Sequence, residues 1–235
     1  MLCLVPAWNE ARHVGSVVRS VPRRAVDCIC VVDDGSTDGT VREARRAGAV
    51  VLSHGRNRGV GAAIRSGIAF GVRGGFDAVV VVSGSGKTPC EQIPALLKPL
   101  LHHRADFVQG SRFLSGGNFY HAPMHRRVGT SLYTLMFSLL AGRKISDASC
   151  GFRAFRLQSL QRKDIRLSQS WLDRYELEAY LLFKVVRSDI PWIDVPVTVV
   201  YPVLGGIHGY SKMRAVIDWW SIFRPVLFCA VGLKK

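Results

Sequence analysis

The chain has 235 residues, 48% of them hydrophobic and 21% charged, so it is long enough to bury one sizeable core and too apolar to remain disordered. Lys and Arg outnumber Asp and Glu by 32 to 17, a formal charge of +15 that favours anionic partners: phosphates, lipid headgroups or nucleic acid. No finger-type Cys/His spacing, aromatic RNA-reading strand or basic heptad accompanies this charge, which argues against nucleic acid.

Short apolar runs alternate with helical periodicity along the first hundred residues. The pattern predicts strands at 2–6, 28–33, 49–53 and 77–82, with helices at 10–20, 38–47, 60–72 and 91–101. That rhythm describes a mostly parallel sheet with right-handed crossovers, whose ligands bind at the carboxyl ends of the strands. After Phe107-Val108-Gln109-Gly110 the pattern becomes mixed, with helices predicted at 126–141 and 172–187, a turn at 147–151 and a strand at 192–200. The main domain is expected to cover 1–212, followed by an amphipathic helical tail at 213–235.

The apolar tract at 216–233 is interrupted by Asp218, Arg224 and Pro225, too broken for a membrane-spanning helix. Trp219, Trp220, Phe223 and Phe228 stand there among Arg214, Arg224, Lys234 and Lys235, a composition suited to an interfacial helix on an anionic membrane surface. The alternative is a terminal helix packed on its own domain. Six cysteines without a C-x-x-C pair read as buried thiols of a reducing compartment, and the first residues lack an export signal, so a cytoplasmic location is expected.

Each predicted strand ends in loop chemistry. Asp33 and Asp34 follow a buried strand and precede Gly35 and Ser36, where carboxylates accept from ribose hydroxyls or a base N–H, or else cap their own loop amides. Asn57-Arg58-Gly59-Val60-Gly61 opens a helix with small residues, a pattern that lets backbone approach a phosphate. Gly84-Ser85-Gly86-Lys87-Thr88 mimics a phosphate-binding loop of NTPases but has Val81 where that motif needs glycine.

Val5-Pro6-Ala7-Trp8-Asn9-Glu10 and Val32-Asp33-Asp34-Gly35-Ser36-Thr37-Asp38-Gly39-Thr40 together resemble the opening of the large inverting glycosyltransferase family with the GT-A fold, V-P-A-Y-N-E and V-D-D-G-S-x-D-x-T. Gly110-Ser111-Arg112-Phe113, the block from Asp147 through Cys150-Gly151-Phe152-Arg153 to Phe155, and Gly209-Tyr210-Ser211-Lys212 are similar to blocks of its dolichyl- and polyprenyl-phosphate mannosyltransferase branch. The resemblance covers nearly the whole chain and implies an α/β GT-A, Rossmann-like fold.

It also implies a set of site residues. Pro6, Ala7, Trp8, Glu10, Asp33, Asp34, Gly35, Asn57, Arg58, Gly59, Gly61, Ser83, Gly84 and Ser85 would hold a nucleoside-diphosphate sugar. Lys87, Arg112 and Asp147 are the expected catalytic residues, and Arg112 with Arg127, Ser131, Arg153, His208 and Lys212 would face the acceptor, a polyprenyl phosphate or a small molecule, because guanidinium forks suit a phosphate.

One departure changes the expected chemistry. Where the family carries Asp-x-Asp-x-Gln to hold Mg²⁺ or Mn²⁺, this chain has Ser83, Ser85 and Lys87, and hydroxyls are poor ligands for a hard cation. No metal or other cofactor is therefore expected. The site is either metal-independent, with Lys87 supplying charge to the leaving diphosphate, or inactive, as in a non-catalytic nucleotide-sugar-binding homologue. A phosphate acceptor needs no strong base, whereas a hydroxyl acceptor, as for a soluble tailoring transferase, would call on Asp147, Asp173 or Glu176.

Overall fold

The computed structural model describes residues 1–201 and 218–233 in full, and the backbone alone at 203–204, 207–208 and 217. The first half follows the predicted rhythm. It runs β1 (Leu2–Ala7), α1 (Val14–Ser20), β2 (Cys28–Asp33), α2 (Thr40–Arg46), β3 (Val50–Ser53), α3 (Val60–Arg73), β4 (Ala78–Val81) and α4 (Ile93–Leu101). The second half holds β5 (Phe107–Ser111), β6 (Asn118–Tyr120), α5 (Met124–Ala141), β7 (Arg153–Arg156), α6 (Glu176–Arg187), β8 (Trp192–Pro196) and β9 (Thr198–Val200). The short pair β10 (Val203–Leu204) and β11 (Ile207–His208) precedes α7 (Ile217–Ala230).

Seven strands form one sheet in the order β3-β2-β1-β4-β7-β5-β8. All neighbours are parallel except β7, which runs antiparallel to both β4 and β5. The sheet is covered on both faces, so its strands read as continuous apolar runs whose alternate residues enter different cores. Leu2, Leu4, Cys30, Val32, Val79 and Val81 pack beneath α3, α5, α6 and α7, while Cys3, Val5, Ile29, Val31 and Val80 face α1, α2 and α4. Three places differ from the sequence reading.

β7 was not expected as a strand. Arg153-Ala154-Phe155-Arg156 carries too few apolar residues to signal one, and several partners of its arginines, Glu178 O, Leu100 O and Asp106, come from elsewhere in the chain. The strand expected at 192–200 is split at Val197, whose N–H donates to Ser111 O at 2.8 Å and whose carbonyl accepts from Asn118 N at 3.1 Å. β8 thereby stays beside β5 while β9 pairs with β6.

The third difference concerns the terminal helix. α7 packs against α5 and α6: Val226 is fully buried, Phe223 meets Tyr133 edge-on at 5.3 Å between centroids, and Arg224 pairs with buried Glu176. A Cβ at Gly129 of α5 would lie 2.7 Å from the Trp219 ring, so that glycine lets the two helices cross closely. Trp219 and Trp220, adjacent in sequence, have different surroundings, one half-buried on the core and the other exposed.

Candidate functional site

A cavity of about 630 Å³ opens at the carboxyl ends of β1 and β4 and extends between α3, α6 and α7. Pro6, Ala7, Trp8 and Glu10 form one wall. The loop that carries them is tied to the next: Asn9 N donates to Ser36 Oγ at 2.8 Å, Thr37 N to Asn9 Oδ1 at 2.9 Å and Glu10 N to Thr40 Oγ1 at 2.8 Å. Two strand ends are thus joined into one floor.

The paired aspartates divide their work. Asp33 accepts from Ser36 N and Ser53 Oγ, is almost wholly buried and does not line the cavity, so it caps its own loop. Asp34 borders the cavity and pins the 54–59 loop, accepting from Arg58 N at 3.0 Å and Gly59 N at 2.7 Å and pairing with His54 Nδ1 at 2.7 Å. Gly35 lies behind the wall, where a Cβ would come within 2.3 Å of the Arg56 carbonyl carbon.

Asn57 and Gly59 reach the cavity, whereas Arg58 and Gly61 do not. Gly61 makes room for the chain's own backbone: a Cβ there would sit 2.1 Å from Leu172 O and 2.4 Å from Arg174 O. The close approach expected of a diphosphate is therefore made, at this glycine, by residues 172–174. Gly59, at φ 106°, turns into α3 beside the same segment.

Ser83, Ser85 and Lys87 line the cavity just past β4, while Gly84 packs against Pro6 O and Ala7 of β1. The two serine hydroxyls hydrogen-bond each other at 2.8 Å. Lys87 Nζ lies 5.1 Å from the Tyr201 ring centroid and the Arg126 guanidinium carbon 5.0 Å from it, so two cations flank one aromatic ring on the cavity wall. Paired hydroxyls are poor ligands for a hard divalent cation.

Arg112 lines the cavity, but Asp147 lies behind it, fully buried. The Asp147 oxygens accept from Arg112 Nε at 2.6 Å, Arg112 Nη2 at 2.8 Å, Arg112 N at 3.1 Å and Ser149 N at 3.1 Å. This corrects the assignment of Asp147 as a catalytic group: its lone pairs are engaged, and it acts as the counter-ion of Arg112. Burial opposes the charged guanidinium, yet Asp147 outweighs it and holds Arg112 above its ordinary pKa. The same guanidinium stacks 4.2 Å from the Phe119 centroid.

The acceptor residues need the larger correction. Arg127 is exposed, donates to Phe119 O and does not border the cavity; Ser131 lies exposed on the outer side of α5. Arg126, one position earlier, is the α5 arginine in the cavity wall. Helical geometry explains this, since neighbouring positions on a helix point about 100° apart and sequence blocks alone do not fix the phase. Arg153 does line the cavity, nearly buried, donating to Glu178 O and Cys150 O. The side chain of His208 and all of Lys212 lie outside the described residues.

The structure adds residues that the motifs did not name: Arg174, Tyr175, Glu178, Tyr201, Asp218 and Ile222. For those on or entering helices the signal was helical spacing. Tyr175, Glu178 and Ala179 share one face entering α6, and Asp218 and Ile222 stand four apart on α7. Of the expected alternative bases, Glu176 is buried against Arg224 and Asp173 pairs with Arg65. Glu178 is the α6 carboxylate in the wall, 3.8 Å from Arg153 Nη2, and a Cβ at Gly151 would lie 2.9 Å from its Oε1.

The chain matches known proteins at three levels: fold, sequence and family model. The fold superposes on glucosyl-3-phosphoglycerate synthase from Mycobacterium tuberculosis, crystallised with Mn²⁺, UDP and phosphoglyceric acid, with a TM-score of 0.70 over all of this chain and 79% of that one, at 20% identity. The sequence is 30% identical to an undecaprenyl-phosphate mannosyltransferase of Micrococcus luteus over 92% of this chain and 88% of the relative. It is 28% identical to a polyprenol monophosphomannose synthase of Mycolicibacterium smegmatis over 93% and 86%. Residues 3–162 match the model of glycosyl transferase family 2, and the chain belongs to that family as a GT-A-fold glycosyltransferase.

Proposed function

We propose that this glycosyltransferase moves a sugar from a nucleoside diphosphate to a polyprenyl phosphate, with inversion at the anomeric carbon and without a divalent metal, at the cytoplasmic face of a membrane. The observation that carries this reading is Lys87, just past β4 where the leaving diphosphate would lie, sharing the Tyr201 ring with Arg126, which stands toward the acceptor. Fixed cations aimed at developing charge lower the barrier without reorganising at the moment of reaction. The names of the M. luteus and M. smegmatis relatives support the acceptor class.

A phosphate acceptor is already ionised near neutral pH, so the arginines need only hold it in line with the anomeric carbon. Arg112, kept charged by Asp147, and Arg126 are the residues for that task. Glu178 favours a second reading, transfer to a small-molecule hydroxyl, because it is a carboxylate on the cavity wall able to take a proton.

Calorimetric titration of the protein with UDP-, GDP- and TDP-sugars, in Mg²⁺ and in EDTA, tests the donor site, and radiolabelled transfer to polyprenyl phosphate tests the acceptor. Donor binding and turnover that survive EDTA support the proposal. Activity that disappears with EDTA sinks the metal-free mechanism, and transfer only to soluble hydroxyl acceptors promotes the second reading.

A further inference from the structure

A row of polar side chains crosses the sheet beside the Arg112–Asp147 pair. Gln109 of β5 stands in register with Arg153 of β7 on one side and Asp194 of β8 on the other. Side chains alternate along a strand, and Phe107, Phe155 and Trp192, each two residues from a member of the row, pack in the core under α3, α5, α6 and α7. Arg153, Gln109 and Asp194 therefore project from that same face, about 5 Å apart from strand to strand.

The row holds one loop. Asp194 Oδ2 accepts from Ser146 N at 2.8 Å and Ser146 Oγ at 2.5 Å, Gln109 Nε2 donates to Asp147 O at 3.1 Å and Cys150 O at 2.7 Å, and Arg153 Nη2 donates to Cys150 O at 2.7 Å. From α5 the loop receives the Thr134 hydroxyl, which accepts from Ala148 N. Residues 146–150 thus sit on three strands at once, with the counter-ion of Arg112 in their midst. Gln109 Oε1, Asp194 Oδ1 and Arg153 Nε, all buried, nevertheless have no hydrogen-bond partner among the described residues. Two of these atoms are acceptors on neighbouring strands, and a buried acceptor left unpaired is costly. A proton on Asp194 makes one of them a donor to the other. Burial, and the field of Asp147, hold the Asp194 carboxyl above the ordinary aspartate range against the two Ser146 bonds. The nearby cations have other partners: Arg112 is engaged by Asp147, and Arg153 by the Cys150 and Glu178 carbonyls.

We propose that Asp194 is a positioning residue that works as a neutral acid, donating its proton to Gln109 Oε1, so that the two side chains fix the 146–150 loop and aim Arg112 at the acceptor. An ionised Asp194 would set a second carboxylate near Asp147 and leave both acceptor oxygens unpaired. Asp194 and Gln109 do not line the cavity, so they act through Ser146, Asp147 and Cys150 rather than on a substrate. Their purpose rests on the polyprenyl-phosphate reading, in which Arg112 holds the phosphate.

The test joins steady-state transfer to polyprenyl phosphate with carboxyl-carbon NMR of the aspartate-labelled full chain. Asp194→Ala should raise the KM for polyprenyl phosphate about tenfold or more while donor affinity in calorimetry stays at the wild-type value, because the loosened loop misplaces Arg112 alone. Gln109→Leu, which strips the Asp147 and Cys150 carbonyls of their donor, should do the same. Asp194→Asn should restore the wild-type KM, since its amide accepts from Ser146 and donates to Gln109 as the neutral acid does. In the wild type the carboxyl carbon absent from Asp194→Asn should titrate above the ordinary aspartate range. An acceptor KM in Asp194→Ala equal to wild type overturns the positioning role. Where Asp194→Ala does not fold, Asp194→Asn decides: a raised KM in this neutral isostere overturns the neutral acid, as does an Asp194 carboxyl that titrates at or below the ordinary range. A wild type that transfers no sugar overturns the acceptor reading, and with it the purpose of the row, whereas the carboxyl titration, read without substrate, reports the proton separately.

Discussion

Arg112 and Asp147 form a buried, two-pronged ion pair, with Nε 2.6 Å from one carboxylate oxygen and Nη2 2.8 Å from the other. Removing one member strands the other's charge away from water. Asp147→Ala is expected to cost roughly 3–5 kcal/mol in denaturant unfolding. Arg112→Met/Asp147→Leu should recover part of that stability without recovering transfer to a phosphate acceptor. A stable Asp147→Ala protein that has lost only turnover would return Asp147 to the role of base.

Lys87→Ala should lower the turnover number by about a hundredfold, the scale of one fixed group stabilising transition-state charge. Lys87→Arg should keep part of the rate, and added Mg²⁺ should rescue neither variant, because Ser83 and Ser85 offer no carboxylate to hold it. Single-turnover transfer assays read this directly, and wild-type rates in Lys87→Ala would remove the cation from the mechanism.

Gly61→Ala reverses the usual sign of its class. Alanine in a helix normally gains up to about 1 kcal/mol over glycine. Here the new Cβ would strike the carbonyls of Leu172 and Arg174 and push α3 away from the 172–174 segment, for a net loss of about 1–3 kcal/mol. Thermal unfolding with limited proteolysis near residue 172 checks this, and a raised midpoint would contradict it.

Burial raises the pKa of Cys30 to about 12 and of Cys150 to about 11. A folded-state pKa above the unfolded value means the stability these thiols contribute is present below the ordinary thiol pKa, given as 9.0, and is lost as pH rises toward the folded values. The melting midpoint under reducing conditions should therefore fall above pH 9, more steeply than in a Cys30→Ala/Cys150→Ala variant. Native Cys150 should also react slowly with a thiol reagent at pH 8, and fast stoichiometric labelling would show it exposed and ionised.

Much was legible in the chain itself. The alternation of apolar runs with helical spacing from residue 2 to 101 determined the order of strands and helices, because both periods follow from backbone geometry. The glycines, prolines and polar residues after each strand located the ligand edge, since loops that interrupt buried strands must carry their own polar partners. The hydroxyls and ammonium of Ser83, Ser85 and Lys87 at that edge were likewise readable in the sequence.

Tertiary structure decided what each polar residue faces. Whether Arg126 or Arg127 enters the cavity depends on the rotational phase of α5, which packing against α6 and α7 sets. Asp33, Asp34 and Asp147 look alike as sequence, yet one caps a loop, one shares the cavity wall and one is buried under an arginine 35 positions away. Side-chain chemistry is written locally, but a carboxylate's role follows from which donors surround it, and those arrive from distant parts of the chain.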